Sequence, residues 1–223
     1  MKNQFLWQDC DPEDQGMSNT SLTEMCLRLA ARHTRALLVI RNDRIVYEWY
    51  APGHDLAKTH YTASLAKALV GGMSLLLAIS DGLVDPDDPV CKFIPQWKNH
   101  PQKSKITIRQ LATHTSGIED AELSQADRDE AQVQGLTLSE EHMSLPGWKG
   151  DFWHRQPNPF TISRDKAPLI FEPGSQYAYS NPGMAMLAYT VTASLKDTST
   201  PDIRTYLRER IMQPIGLSET ECT

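Results

Sequence analysis

Tyr61-Thr62-Ala63-Ser64-Leu65-Ala66-Lys67-Ala68-Leu69-Val70-Gly71-Gly72 is the stretch on which the reading of this chain turns. A serine and a lysine sit three positions apart where an apolar helix begins. Positions i and i+3 share a helix face, so the Lys67 amine can reach the Ser64 hydroxyl. A serine hydroxyl is a weak nucleophile until a neighbouring base takes its proton, and a neutral amine can do so. Placing Ser64 at a helix start also sets its backbone N–H at the positive end of the helix dipole, where a developing oxyanion is stabilised. The pattern S-x-x-K is weak by itself. Ser163-Arg164-Asp165-Lys166 fits it too, but that copy lies in a polar stretch with no apolar helix attached and reads as surface.

Working outward, the helix opened by Ser64 is expected to run to about Ser80, with Asp81-Gly82 as its stop. Gly71-Gly72 inside it costs roughly 1 kcal/mol per glycine relative to alanine, a cost that close packing against another element would justify. Before it, Ala36 to Ile40 is a short apolar run, Arg41-Asn42-Asp43-Arg44 a turn, and Ile45 to Tyr50 a run of β-branched and aromatic residues. Together they predict a β-hairpin over residues 36–50. Earlier still, Ser21-Leu22-Thr23-Glu24 has the form of a capping box, and Leu22, Met25, Cys26, Leu29 and Ala30 recur at helical spacing. A helix is expected from about Leu22 to Arg32, with residues 1–20 lying across the surface.

Beyond the Ser64 helix, Asp85 to Pro89 is a turn-rich corner and Ile94-Pro95-Gln96-Trp97 the tail of a short apolar element. Ile106 to Gly117 reads as a helix capped by Thr107, with His114 in its last turn, where an imidazole bonds carbonyls and suits the dipole. Residues 119–165 are the least regular part, with a short helix capped at Thr137-Leu138-Ser139-Glu140. Trp148, Phe152, Trp153 and Phe160 fall close together there. Either they pin a surface loop, or they form a wall over a substrate pocket. After Phe171-Glu172-Pro173-Gly174, Tyr179-Ser180-Asn181-Pro182 leads into a helix face of Met184, Leu187, Ala188, Val191 and Leu195. Asn181 before Pro182 is a suitable N-cap, and Tyr179 alone would pass for a core aromatic. A last helix is expected from Pro201 to Met212.

Composition bounds the function. A net charge of −6 with no basic patch argues against a nucleic-acid partner. No run of 18 apolar residues exists, so no membrane-spanning segment is expected. Cys10, Cys26, Cys91 and Cys222 are scattered, without C-x-x-C or paired histidines, which argues against structural zinc and leaves free thiols. The first residues lack a signal-peptide core, so a cytoplasmic location is expected unless a signal was removed.

The order S-x-x-K at Ser64-Lys67, then Leu111-Ala112-Thr113-His114-Thr115-Ser116-Gly117, then Glu172-Pro173-Gly174 leading into Tyr179-Ser180-Asn181, resembles the serine β-lactamase and penicillin-binding-protein superfamily in its class C-like branch. The resemblance runs from about Asp11 to the Leu217-Ser218-Glu219-Thr220 ending. It implies an α+β, serine β-lactamase/transpeptidase-like fold, an antiparallel sheet packed with helices beside a mainly helical region, in one domain over residues 1–223. It implies Ser64 as the acylated nucleophile, Lys67 as its base partner, Tyr179 relaying a proton to the leaving group, and Asn181 hydrogen-bonding Lys67 and the substrate. No metal or organic cofactor is implied. The substrate would be a small ester, amide, β-lactam or D-Ala peptide, with an esterase or amidase favoured over cell-wall work. Trp148, Phe152 and Trp153 would bind it.

One departure from the family matters. Its third motif, Lys or His two residues before Gly, is missing after Asn181, because Gly183 and Gly216 follow Asn181 and Pro214. The chain therefore reads as the N-terminal part of a longer enzyme whose C-terminal strands are missing, and its hairpin edge would invite self-association. The rival reading is a non-catalytic binding or scaffold remnant of the same fold, made inactive by that missing motif. A metal-dependent hydrolase lacks any ligand cluster.

Overall fold

The computed structural model describes residues 7–138, 145 and 147–217. They divide into two compact units, residues 1–62 and 63–223. That boundary falls between the hairpin and the helical region distinguished in the sequence.

The first unit holds α1 (Asn19–Ala30) and a three-stranded sheet, β1 (Gln8–Asp9), β2 (Ala36–Arg41) and β3 (Arg44–Tyr50), in the order β1-β3-β2. β2 and β3 form the expected hairpin. Its two-residue turn is Asn42-Asp43, both at positive φ, as a turn matching strand twist requires. The pairing runs from Arg41 opposite Arg44 to Ala36 opposite Tyr50, with an irregularity between Val39 and Ile40. The N-terminal segment does more than cross the surface. β1 adds parallel to β3, and Gln8 Oε1 accepts from Arg44 at 2.7 Å. α1 starts earlier than its capping-box pattern suggests: Ser18, not Ser21, is the N-cap and accepts from the Ser21 N–H at 3.2 Å.

The second unit is helical. A π-helical segment, Lys67–Gly72, runs directly into α2 (Met73–Ser80). Then come α3 (Ile108–Ala112), α4 (Gln125–Val133), α5 (Gly147–His154), α6 (Pro159–Asp165), α7 (Asn181–Ser194) and α8 (Ile203–Leu207), the last continuing as a π-helical turn to Met212. The helix capped at Thr137 to Glu140 falls partly outside the described residues. α7 is the hub. It packs on the π-helical segment and on α2, α3, α6 and α8. Its Met186, Leu187, Val191 and Leu195 join Ile94, Trp97, Ile106, Ile108 and Leu111 in the main core. Gly71 is buried where the π-helical segment meets α7, and a β-carbon there would come within 3.1 Å of the Met184 methyl. That close approach accounts for one of the two helical glycines. A β-carbon on Gly72 would meet only ordinary contact distances.

Local signals set several helix ends. Thr107 and Gln110 form a complete capping box for α3, and Ser124 and Asp127 form one for α4. The second S-x-x-K copy is surface only in part: Ser163 is buried, while Asp165 and Lys166 are exposed. It lies on α6, where Ser163 is fully buried and donates to the Pro159 carbonyl at 2.7 Å, while Lys166 pairs with Asp151. The pull comes from Ile162 in the core. The Arg164 carbonyl at the end of α6 accepts from both the Trp97 indole and buried Lys103, each at 3.0 Å.

Buried Lys149 of α5 bonds Glu119 at 2.9 Å, Asp127 at 2.5 Å and the Glu122 carbonyl at 3.1 Å. Desolvation alone would lower its pKa, yet the two carboxylates outweigh it and raise it. Burial would raise the Asp127 carboxyl, but bonds from Lys149 and Ser124 hold it below the usual carboxylate range. This cluster ties α5 to residues 119–127. Lys149→Met is expected to cost about 2–4 kcal/mol, somewhat less than a wholly buried pair because both carboxylates keep some solvent access. Urea unfolding of the two proteins measures it, and an unchanged midpoint would refute the clamp.

Candidate active site

Ser64 lies in the turn just before the π-helical segment. Ala63 ahead of it holds φ +46°, a left-handed value rare for a residue with a β-carbon. Such strain is found where a side chain must be presented at a set angle. The Lys67 N–H donates to the Ser64 carbonyl at 3.0 Å, closing the first turn, and the Lys67 amine lies 3.1 Å from Ser64 Oγ. The i,i+3 reach expected from the sequence is therefore present.

Tyr179 completes a triangle. Its phenol donates to Ser64 Oγ at 2.6 Å, and the Lys67 amine sits 4.9 Å from the centroid of its ring. Ser64 Oγ thus accepts from two groups that can each gain or lose a proton. Ser64 itself is exposed and Lys67 half-buried, so a substrate can approach while the amine is partly shielded.

The segment carrying Tyr179 is pinned from below. The Ala178 N–H donates to the His114 carbonyl at 3.0 Å, and the Ser180 N–H donates to His114 Nδ1 at 3.1 Å. The His114 ring stacks on Tyr179 with centroids 4.6 Å apart. His114 therefore does not bond helix carbonyls from a last turn. It lies past the end of α3 at φ +57° and reaches across to residues 178–180. Burial, reinforced by the charge of Lys67 and opposed by Asp120, pushes its pKa below the ordinary imidazole value.

Asn181 also departs from expectation. Its backbone N–H and side-chain amide both donate to Asp120 Oδ1, at 2.8 and 3.0 Å, so the bonded partner is Asp120 rather than Lys67. Nor is Asn181 the N-cap of α7. Ser180 takes that place, accepting from the Gly183 N–H at 2.9 Å. Asn181 and Lys67 nevertheless line the same cleft, of about 320 Å³. Its apolar walls come from Val70 and Gly71 of the π-helical segment, Met184, Ala185 and Ala188 of α7, and Phe152 and Trp153 of α5. The Trp153 indole donates to the Ala121 carbonyl at 3.0 Å. Trp148, expected with them, is not part of this lining and packs instead against the buried core. Trp148 shares a face of α5 with Phe152 but lies one turn away along the axis, outside this lining.

Two residues near the site, His114 and Asp120, went unread as functional in the sequence. His114 stood within a quoted motif, but its helix-end position suggested a local role. Asp120 has no local signal, because its partner is 61 positions away.

An α+β chain in which a serine, a lysine one turn on and a distant tyrosine meet has the fold of a serine β-lactamase or penicillin-binding protein. Residues 27–223 match the Beta-lactamase family, and the chain belongs to it. It is 26% identical over 189 residues to the acyltransferase calJ of Penicillium decumbens, covering 78% of this chain and 40% of that protein. It is 28% identical over 201 residues to the D-alanyl-D-alanine-carboxypeptidase/endopeptidase AmpH of Escherichia coli K12, covering 84% of this chain and 45% of that one. The octameric penicillin-binding protein homologue from Pyrococcus abyssi superposes with a TM-score of 0.61 at 21% identity, over 90% of this chain and 43% of its own. The chain thus spans less than half the length of these relatives. Among the described residues, no helix is long and apolar enough to cross a membrane.

Asp120→Ala removes the acceptor of both Asn181 bonds. It is expected to cost about 1.5–3 kcal/mol, the range for hydrogen bonds to a charged group. Asp120→Asn keeps an acceptor and should recover part of that loss. Thermal unfolding of the three proteins checks the order, and equal stabilities would contradict it.

Proposed function

We propose that this chain carries the acylating machinery of a serine hydrolase that acts on a small ester or amide. The observation that supports it most is the convergence of Tyr179 and Lys67 on Ser64 Oγ, at 2.6 and 3.1 Å. In this reading a neutral Lys67 takes the Ser64 proton as Oγ attacks the substrate carbonyl. The Tyr179 phenol, in contact with both, hands a proton to the departing alcohol or amine. The acyl group then rests on Ser64 as an ester until water, activated by the same pair, releases it. The backbone N–H of Ser64 supplies one oxyanion donor. Asn181, oriented by Asp120, faces the substrate's amide or ester group.

The cleft argues for the substrate class. Lys67 and Asn181 are its polar side chains and the rest of its lining is apolar. Among the described residues Lys67 is the cleft's one cationic side chain, and it is already committed to Ser64. An ester or amide with an apolar acyl group suits it better than a D-Ala-terminated peptide. One relative is named as an acyltransferase and another as a carboxypeptidase/endopeptidase, both consistent with acyl transfer through a serine.

The test is intact-protein mass after exposure to an alkyl fluorophosphonate and, separately, to a fluorescent penicillin. A single adduct is expected with the fluorophosphonate and none in Ser64→Ala. Lys67→Ala and Tyr179→Phe should slow labelling by about 100-fold or more, the usual worth of a positioned acid or base. Adducts that persist in Ser64→Ala would remove Ser64 from the role. Silence toward both reagents would favour a non-catalytic binding remnant. Faster labelling by penicillin than by the fluorophosphonate would reverse the substrate preference.

A further inference from the structure

We propose that His114 is a positioning residue that holds the Tyr179 phenol on Ser64. The proposal rests on the reading of Ser64 as the nucleophile. Three independent contacts support it. The His114 carbonyl accepts from the Ala178 N–H and its Nδ1 from the Ser180 N–H, at 3.0 and 3.1 Å, so the residues on either side of Tyr179 are both fixed to one residue. The imidazole then stacks on the phenol ring between those two anchors, 4.6 Å between centroids and 29° between planes. Main-chain position and ring plane are thus set together, and they aim the hydroxyl at Ser64.

The bond to the Ser180 N–H fixes the tautomer. Nδ1 must be without a proton to accept, so the neutral ring carries its proton on Nε2. Protonation would set two donors against each other and break the anchor. The charged groups around the ring come from two other elements. Lys67 of the π-helical segment opposes a positive imidazole, and Asp120 of the loop after α3 favours one. The rings of Tyr177 and Tyr179 face it from the third side. Burial and Lys67 prevail and lower the imidazole pKa. The anchor is therefore intact at neutral pH and is lost only as pH falls through that lowered value.

Two variants separate the contacts. His114→Phe keeps a ring to stack and loses the acceptor. His114→Asn places a side-chain oxygen near the Nδ1 position, loses the ring, and tolerates the left-handed backbone at this site. The measurement is the maximal rate and half-saturation concentration of Ser64 labelling by the alkyl fluorophosphonate, from roughly pH 5 to 8. His114→Phe should lower the maximal rate about 10–100-fold, as misplacing a catalytic group does, without changing half-saturation. His114→Asn should recover much of it and lack the acid limb that wild type shows below the imidazole pKa. Wild-type rates in His114→Phe would overturn the proposal. The ¹⁵N spectrum of the wild-type imidazole tests the anchor without any activity. A proton on Nε2, with a Ser180 amide shift that titrates together with the ring, upholds the anchor, and a proton on Nδ1 overturns it. If none of the three proteins is labelled, the reading of Ser64 falls, and the spectrum still decides the anchor.

Discussion

The segment from Ala178 to Asn181 is held between two fixed points, and the site depends on that constraint. His114 takes the backbone donors of Ala178 and Ser180, and Asp120 takes the backbone and side-chain donors of Asn181. A four-residue stretch at the start of a helix has backbone donors with no intrahelical partner. Here they are used to locate a side chain. Ser180 caps α7, so the same residues that start the hub helix also present Tyr179 to Ser64. Site geometry and core packing are one problem in this chain. α7 cannot shift against the π-helical segment without moving Tyr179 relative to Lys67, and Gly71 against Met184 leaves little room for such a shift.

The loop after α3 is braced in turn from its far side. Lys149 reaches from α5 to Glu119, the Glu122 carbonyl and Asp127, while the Trp153 indole bonds the Ala121 carbonyl. Buried charges are costly unless paired, and an unpaired lysine here would be disruptive. Paired, it fixes the loop that carries Asp120 and the helix that carries Phe152 and Trp153. One cationic side chain thereby couples the cleft's aromatic wall to the orientation of Asn181.

The sequence discloses the local half of this arrangement and hides the tertiary half. The Ser64–Lys67 pair is a one-turn relation on a helix, so spacing alone reveals it. The hairpin is legible for the same reason, since Asn42-Asp43 and the flanking β-branched runs act within a few residues. The α3 cap at Thr107 is equally local. Contacts that cross the fold are not visible this way. Asp120 and Asn181 meet across 61 positions and Ser64 and Tyr179 across 115, and only the resemblance to a known family pointed to the second. His114 misled because a histidine at a helix end has an adequate local explanation, whereas its partners lie 63 and more residues on. Ser163 misled in the opposite sense. A polar run looked like surface, although Ile162 draws α6 into the core. Trp148 shows a further limit, because composition brings aromatics together in sequence but helix geometry decides which of them meet the cleft.

Proton handling and oxyanion stabilisation are separable demands on a nucleophilic serine. In the proposed mechanism the groups that move the serine proton lie in the helical unit: Ser64 and Lys67 on one helical turn, Tyr179 by way of α7 and His114. Oxyanion stabilisation needs backbone donors aimed at a point just outside the nucleophile, and each such donor is worth about a hundredfold to a thousandfold in rate. In the proposed mechanism the Ser64 backbone N–H is one such donor. Attack by Ser64 on an electrophile that is already activated depends mainly on the first demand. Turnover of an unactivated amide depends on both, so the two kinds of substrate place different weights on the residues described here.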